Sequence, residues 1–329
     1  MHEKRVRITG TGSYLPRKVL HNLDLEKVLD TSDDWIRTRT GIVERRIAEK
    51  DQAASDLALE AARAALDQAG ATAADLDLIL MASITPDTAC PSGACWLQAR
   101  LAAHRAVAFD VVAACSGFIF GLSVAEQYLR SGAARTVLLV AAEVMSRTVN
   151  WRDRQTCILW GDGAGAAVLG LEDGERGVLS IHLHTDGSQG DKLQLPGGGS
   201  RTTPISHESV DADLHTIKME GQEAFKIAVR CFTDVCIEAL EHNGISVKDV
   251  ALFVPHQANL RIMEAAAHRL GIPLERVAVT IHKYGNISSA TVPIALDEAN
   301  REGRIRPGDL VLLAAFGGGL AWGSALIRW

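Results

Sequence analysis

Short, nearly continuous apolar runs recur along this chain, separated by stretches with helical spacing. Asp75-Leu-Asp-Leu-Ile-Leu-Met-Ala-Ser, Thr136-Val-Leu-Leu-Val-Ala-Ala, Lys248-Asp-Val-Ala-Leu-Phe-Val-Pro-His and Asp309-Leu-Val-Leu-Leu-Ala-Ala all read as strands covered on both faces. Val107-Ala-Phe-Asp-Val-Val reads as a further strand. It turns sharply into Cys115, and Phe118-Ile-Phe-Gly-Leu-Ser-Val-Ala-Glu-Gln-Tyr-Leu then follows with helical periodicity up to Ser131-Gly132. Strands alternating with helices predict an α/β fold with buried, mostly parallel sheets.

The pattern repeats. The first and third of these runs each follow a helical stretch closing in a glycine, Gly70 and Gly244. The spacing from Asp77 to Cys115 is 38 positions, and from Asp249 to Asn286 it is 37. Val277-Ala-Val-Thr-Ile-His-Lys-Tyr-Gly-Asn is the predicted counterpart of the strand that leads to Cys115. Two such halves, each burying helices against the other, predict an αβαβα five-layer sandwich. The expected boundary lies in the Gly174–Gly177 turn, giving an N-terminal half 1–174 with the cysteine and a C-terminal half 175–329 with a histidine and an asparagine.

Composition narrows the function. The chain has 329 residues, 47% of them hydrophobic and 22% charged, with a formal net charge of −6, which does not suggest a general nucleic-acid binder. No apolar run is long enough to span a bilayer, and the start of the chain lacks a signal segment, so no membrane insertion and a cytoplasmic location are expected. Six cysteines with no CxxC pair argue against a disulfide or zinc framework, and no cluster has metal-ligand spacing. The glycines of Ile8-Thr-Gly-Thr-Gly and Gly161-Asp-Gly-Ala-Gly lack the spacing of a dinucleotide or phosphate loop and are expected in turns and close packing.

Cys115 carries the chemistry. A thiol at a strand-to-helix corner faces free backbone N–H groups and the positive end of a helix dipole, both of which favour the thiolate. His256 lies just past a strand end, where groups converge on ligands in open α/β sheets. Asn286 occupies the matching corner of the second half. The glycines of Ala315-Phe-Gly-Gly-Gly-Leu let backbone N–H groups approach a substrate. Cys-His-Asn chemistry on an acyl group follows.

With these residues in view, the chain resembles the β-ketoacyl-acyl carrier protein synthase III family of thiolase-superfamily condensing enzymes. The likeness rests on Thr31-Ser-Asp-Asp-Trp-Ile-Arg-Thr-Arg-Thr-Gly-Ile, Ala113-Ala-Cys-Ser-Gly-Phe, Phe253-Val-Pro-His-Gln-Ala-Asn-Leu-Arg, Tyr284-Gly-Asn and Phe316-Gly-Gly-Gly-Leu-Ala-Trp-Gly-Ser-Ala-Leu. It implies that the five-layer sandwich is thiolase-like, and that an acyl-CoA primer, acetyl-CoA or somewhat larger, is condensed with malonyl-acyl carrier protein to initiate type II fatty acid synthesis. Coenzyme A enters as a substrate, and no cofactor or metal is implied.

The resemblance also implies roles. Cys115, His256 and Asn286 would be catalytic, with the Cys115 and Gly318 N–H groups as the oxyanion hole. Trp35, Arg39, Arg154 and Asn259 would bind CoA, Trp35 and Arg154 flanking the adenine. Arg147 and Arg152 are expected to be solvated. Cys90, Trp160 and Phe316 would shape the acyl pocket, Cys90 standing where many members carry a bulky aromatic residue. Lys226, Arg261 and Arg269 would dock the acidic carrier protein, with His268 in place of a lysine. A homodimer is implied as well. The alternatives are a related acyltransferase or condensing enzyme of secondary metabolism and a non-catalytic carrier-protein-binding subunit. The presence of all three catalytic residue types speaks against the latter.

Overall fold

The computed structural model describes residues 4–200 and 205–329. The strands of the two main sheets are β1 (Lys4–Tyr14), β2 (Leu78–Ala82), β3 (Val107–Val111), β4 (Thr136–Val144), β5 (Asp162–Asp173), β6 (Gly177–Thr185), β7 (Val250–Pro255), β8 (Leu310–Gly317) and β9 (Ala321–Arg328). The helices of eight residues or more are α1 (Asp33–Thr40), α2 (Ala54–Ala69), α3 (Gly93–Leu101), α4 (Gly117–Arg130), α5 (Gly221–His242), α6 (Leu260–Leu270) and α7 (Thr291–Arg301).

One sheet has the order β1-β5-β4-β2-β3 and the other β7-β8-β9-β6. Helices α4 and α7 lie between the sheets, α2 and α3 cover the outer face of the first, and α5 and α6 cover the outer face of the second. This is the five-layer αβαβα arrangement. Its central layer is largely apolar: Phe118, Ile119 and Leu122 of α4 and Val292, Ile294 and Leu296 of α7 share one buried cluster with Leu80, Leu139, Val254 and Leu313 of the strands. Each such side chain contributes roughly 1.5–3 kcal/mol by leaving water. The chain passes from the first sheet to the second in the turn between β5 and β6, through Gly174 at φ 126° and Gly177 at φ 131°.

Two expectations need correction. The sheets are mixed rather than mostly parallel. β2 pairs in parallel with β3 and β4, and β7 with β8, but β4–β5, β1–β5, β8–β9 and β9–β6 are antiparallel. No α-helix separates β4 from β5, which are joined by the irregular segment 145–161, or β8 from β9, which are joined by a tight turn, so neither connection makes a helical crossover. The strand expected at Val277 is also reduced to a single bridge between Phe253 and Val277. The buried Gln257 takes over the ladder's hydrogen bonds there. Its Oε1 accepts from Thr280 N (2.8 Å) and Ile281 N (3.1 Å), and its Nε2 donates to the Ala278 carbonyl (3.0 Å).

Gly10 and Gly12 serve close packing but sit inside β1, not in a turn. A Cβ on either would come within 2.3 Å of an α2 carbonyl, so the glycines let that helix lie directly on the strand.

Candidate active site

The corner that carries Cys115 is built from backbone constraint. Ala114 lies at φ 45°, a left-handed conformation unusual for a residue with a Cβ, and the Ala114–Ser116 turn runs straight into α4. Ser116 Oγ donates to the Ala321 carbonyl at 2.8 Å and ties the turn to β9. A Cβ on Gly117 would lie 2.9 Å from Ala82 Cβ, and one on Gly317 would lie 2.7 Å from Cys115 N. Glycine at both positions is what allows β2, β8 and the thiol to meet.

Cys115 is 4% exposed, and burial pushes its thiol up to about 12. The expected thiolate is therefore not the resting form. The helix end favours charge on sulfur, but desolvation outweighs it.

His256 is buried directly after β7, its N–H bonded to the Ala314 carbonyl of β8. Burial drives its imidazole down to about 3, so the ring is neutral. Nδ1 lies 2.5 Å from Thr291 Oγ1, which is also 3.0 Å from the Ser288 carbonyl. That carbonyl already accepts the Thr291 backbone N–H. The Thr291 hydroxyl has a single proton for these two acceptors: it donates to the Ser288 carbonyl when Nδ1 carries the ring hydrogen, and to Nδ1 when the ring hydrogen is on Nε2.

Asn286 is held by its backbone to the segment that carries Trp160: its N–H donates to the Leu159 carbonyl (2.8 Å) and its carbonyl accepts from Gly161 N (3.0 Å). Its Oδ1 accepts from Ser288 N at 2.8 Å, which leaves the amide Nδ2 as a donor. Arg45, fully buried, anchors the same segment by donating to the Ile158 carbonyl at 2.7 Å.

Two cavities meet at the thiol. The larger, about 570 Å³, is mostly apolar, and Cys115, Cys90, Trp160, Ser288 and Gly318 are among its lining residues. The smaller, about 100 Å³, is lined by Cys115, His256, Asn286, Asn259, Trp160 and Phe316. Phe316 thus belongs with the His-Asn pair and not with the larger chamber, because β8 ends on that side of the thiol. Cys90 is exposed at the larger cavity, and Trp160 is buried where both converge.

The remaining expected residues are also placed. Ser32 caps α1 by accepting from Trp35 N (3.1 Å), and the guanidinium groups of Arg39 and Arg154 lie 4.6 Å and 5.4 Å from the centre of the Trp35 ring. Asn259 caps α6 through Arg261 N (2.9 Å) and donates to the Arg39 carbonyl (3.0 Å), linking the indole cluster to the smaller cavity. Lys226 is exposed on α5, and Arg261 and Arg269 are exposed at opposite ends of the adjacent α6, with His268 beside Arg269. Arg261 lies 5.8 Å from the Phe225 ring. Arg147 is not simply solvated: it donates to the carbonyls of Glu49, Lys50 and Gln52.

Sequence reasoning missed Thr291, Ser288 and Glu143. Glu143 is wholly buried at the end of β4 and accepts from Ser83, Thr85 and Ser289 hydroxyls and from Ile84 N; burial raises its carboxyl above the usual range. A glutamate closing the apolar run Val137–Val144 was the available signal.

Comparison with known proteins gives this geometry its context. Residues 109–187 match the family profile of 3-oxoacyl-[acyl-carrier-protein] synthase III, and residues 240–329 match that of its C-terminal region. The chain is 53% identical to the β-ketoacyl-[acyl-carrier-protein] synthase III of Caldanaerobacter subterraneus subsp. tengcongensis, covering 98% of this chain and 97% of that one. The chain belongs to this family. It is accordingly a condensing enzyme of the acyltransferase type with the thiolase fold. The crystal structure of 3-oxoacyl-[acyl-carrier-protein] synthase III from Aquifex aeolicus superposes with a TM-score of 0.91 at 46% identity, covering 98% of this chain and all of that one. A priming β-ketosynthase of the R1128 polyketide pathway superposes with a TM-score of 0.91 at 36% identity, covering 99% of this chain and 97% of that one.

Among the described residues no helix is long and apolar enough to cross a membrane, and no group of three or more His, Cys, Asp or Glu side chains could hold a metal ion.

Proposed function

We propose that the protein initiates type II fatty acid synthesis by condensing an acyl-CoA primer with malonyl-acyl carrier protein, with Cys115 as nucleophile and His256 and Asn286 as the decarboxylation pair. The observation that carries this reading is the position of Cys115 at the meeting point of an apolar chamber and a small cavity bearing the two side-chain donors.

In the first half-reaction the Cys115 sulfur attacks the thioester carbon, the N–H groups of Cys115 and Gly318 receive the oxyanion, and the thiol proton leaves with the CoA sulfur. The acyl chain occupies the larger chamber. Trp35, Arg39, Arg154 and Asn259 hold the nucleotide and pantetheine, and arginine suits both stacking and phosphate contacts. In the second half-reaction His256 Nε2–H and Asn286 Nδ2 donate to the malonyl thioester oxygen. Carbon dioxide leaves, the resulting enolate attacks the acyl-Cys carbon, and the sulfur departs and regains a proton. Two donors on one oxygen stabilise the enolate without a metal.

The carrier protein docks on Lys226, Arg261 and Arg269, and that contact weakens with salt. The protein works in the cytoplasm as a homodimer. Support for the dimer comes from the open edge of β3, where Val107 and Val112 are 61% and 75% exposed beside the exposed Cys95 and Trp96.

Intact-protein mass spectrometry with a panel of acyl-CoAs tests this. An adduct on Cys115 that malonyl-acyl carrier protein discharges into 3-oxoacyl-carrier protein supports the reading. An adduct that malonyl-acyl carrier protein leaves in place favours the second reading, transfer to another acceptor in secondary metabolism, for which the likeness to a polyketide priming enzyme is the motivation.

A further inference from the structure

Ser288 lines the chamber beside the thiol, and the reaction above leaves its side chain unused. Its backbone is fully committed: the N–H donates to Asn286 Oδ1 (2.8 Å), and the carbonyl accepts from the Thr291 N–H. Its neighbour Ser289 is committed too, donating to Glu143 Oε1 at 2.7 Å. The Ser288 hydroxyl, by contrast, is wholly buried and is one of five buried side-chain polar atoms without a partner among the described residues.

A buried hydroxyl left unpaired costs on the order of 1–3 kcal/mol. The residue also sits at φ 47°, a left-handed conformation that disfavours any side chain. Glycine would relieve the strain and asparagine would tolerate it. Serine at this position keeps both penalties, and its side chain lines the same chamber as Cys115. An orphaned donor on a strained backbone beside a nucleophile fits a group whose partner appears only during the reaction.

We propose that Ser288 is a catalytic residue, its hydroxyl donating to the Cys115 sulfur whenever that sulfur carries negative charge. That happens twice. In acylation the thiol gives up its proton, which ends on the departing CoA sulfur, and Ser288 donates to the charge left on the Cys115 sulfur until the bond to carbon forms. In condensation the carbon–sulfur bond breaks, the electron pair stays on sulfur, and Ser288 holds it until the proton returns.

The electrostatics of the corner agree. A proton directed from Ser288 Oγ at the sulfur lowers the thiol, as the Cys115 N–H does, against burial and the Glu143 charge, which push it up; the Glu143 carboxyl, which the same hydroxyl also lowers, is the competing acceptor. His256, facing from the end of β7, is neutral, and Asp110 at the far wall of the chamber is bonded to the N–H groups of Gly93 and Ala94. Ser288 thus supplies a neutral donor to a thiol on which no cation among the described residues acts.

This inference rests on Cys115 as the nucleophile, and the test separates the two. The rate of Cys115 alkylation by iodoacetamide is followed between pH 6 and 10 in the full chain, Ser288→Ala and Ser288→Gly. It is read on the Cys115 peptide because Cys90 and Cys95 are exposed. A hydrogen bond to a charged group is worth enough to expect alkylation about tenfold slower in both variants across that range. Removing the side chain opens space and admits reagent faster, so a purely structural role predicts the opposite sign. An unchanged or faster rate in either folded variant overturns the proposal, as does a fall in the alanine variant that glycine reverses, since backbone strain would then be the cause. If the alanine variant does not fold, the glycine variant decides, its backbone being unstrained. The acyl-CoA adduct on the unmodified chain is measured in parallel. Its absence would sink the assignment of Cys115 as acyl acceptor while leaving the alkylation result readable.

Discussion

The Cys115 corner and the Asn286 corner occupy matching positions in the two halves, yet they are made differently. In the first half a complete strand, β3, feeds a short turn that enters a 14-residue helix, so the proposed nucleophile, Cys115, sits at a helix start with backbone N–H groups around it. In the second half the strand is a single bridge, a buried glutamine replaces its ladder, and Asn286 lies in a loop whose next turn leads into α7. Each corner contains one strained non-glycine residue, Ala114 before the cysteine and Ser288 after the asparagine. The common plan delivers a reactive group to the interface of the halves. On the proposed mechanism the departure decides its character: backbone donors and a helix end for a sulfur that must bear charge, side-chain donors for an oxygen belonging to the substrate.

That division can be broken experimentally. Cys115→Ala is expected to abolish the acyl adduct and condensation altogether, as read by mass spectrometry; any acylation that survived would move the nucleophile elsewhere. His256→Ala and Asn286→Ala are expected to slow condensation by about 10²–10³ while leaving acyl-enzyme formation within a few fold, because their donors act on the second substrate. An equal loss in both half-reactions would erase the distinction between the corners. Gly317→Ala forces a Cβ to within 2.7 Å of Cys115 N, so acylation should fall and stability should drop by roughly 1–3 kcal/mol, seen as a lower Tm. Trp35→Ala removes the half-buried ring that the two arginines flank, and it should raise KM for acyl-CoA about fivefold with kcat unchanged.

The pH dependence sharpens the comparison further. His256 is held near 3 in the fold against an ordinary value of 6.5. The unfolded chain therefore binds the extra proton between those values, and this residue's contribution to stability is complete above 6.5 and lost as pH falls towards 3. Urea midpoints measured from pH 7 down to 4 should decline, and the decline should shrink in His256→Ala. The burial of Cys115 acts at the opposite end, its contribution present below about 9 and lost as pH rises towards 12.

Much of the fold was legible before any coordinates. The four apolar runs, the repeat spacing and the glycine-closed helices are local properties, and they led to the layered sandwich. The parallel assignment failed because strand direction depends on whether a helix intervenes, and β4–β5 and β8–β9 join without one. Arg147 was misread for a related reason: a cation that meets three carbonyls from a distant loop leaves no trace in its own neighbourhood.

The sequence by itself determined which residue types could do the chemistry, because Cys115, His256 and Asn286 each stand at a strand end or corner that periodicity locates. Only the tertiary structure decided their state. Burial, not the helix dipole, governs the thiol, and Thr291 and Ser288, both close to Asn286 in the chain, orient the imidazole and the amide. Desolvation and hydrogen-bond geometry are properties of what surrounds a group in space, and here those surroundings come from both halves of the chain.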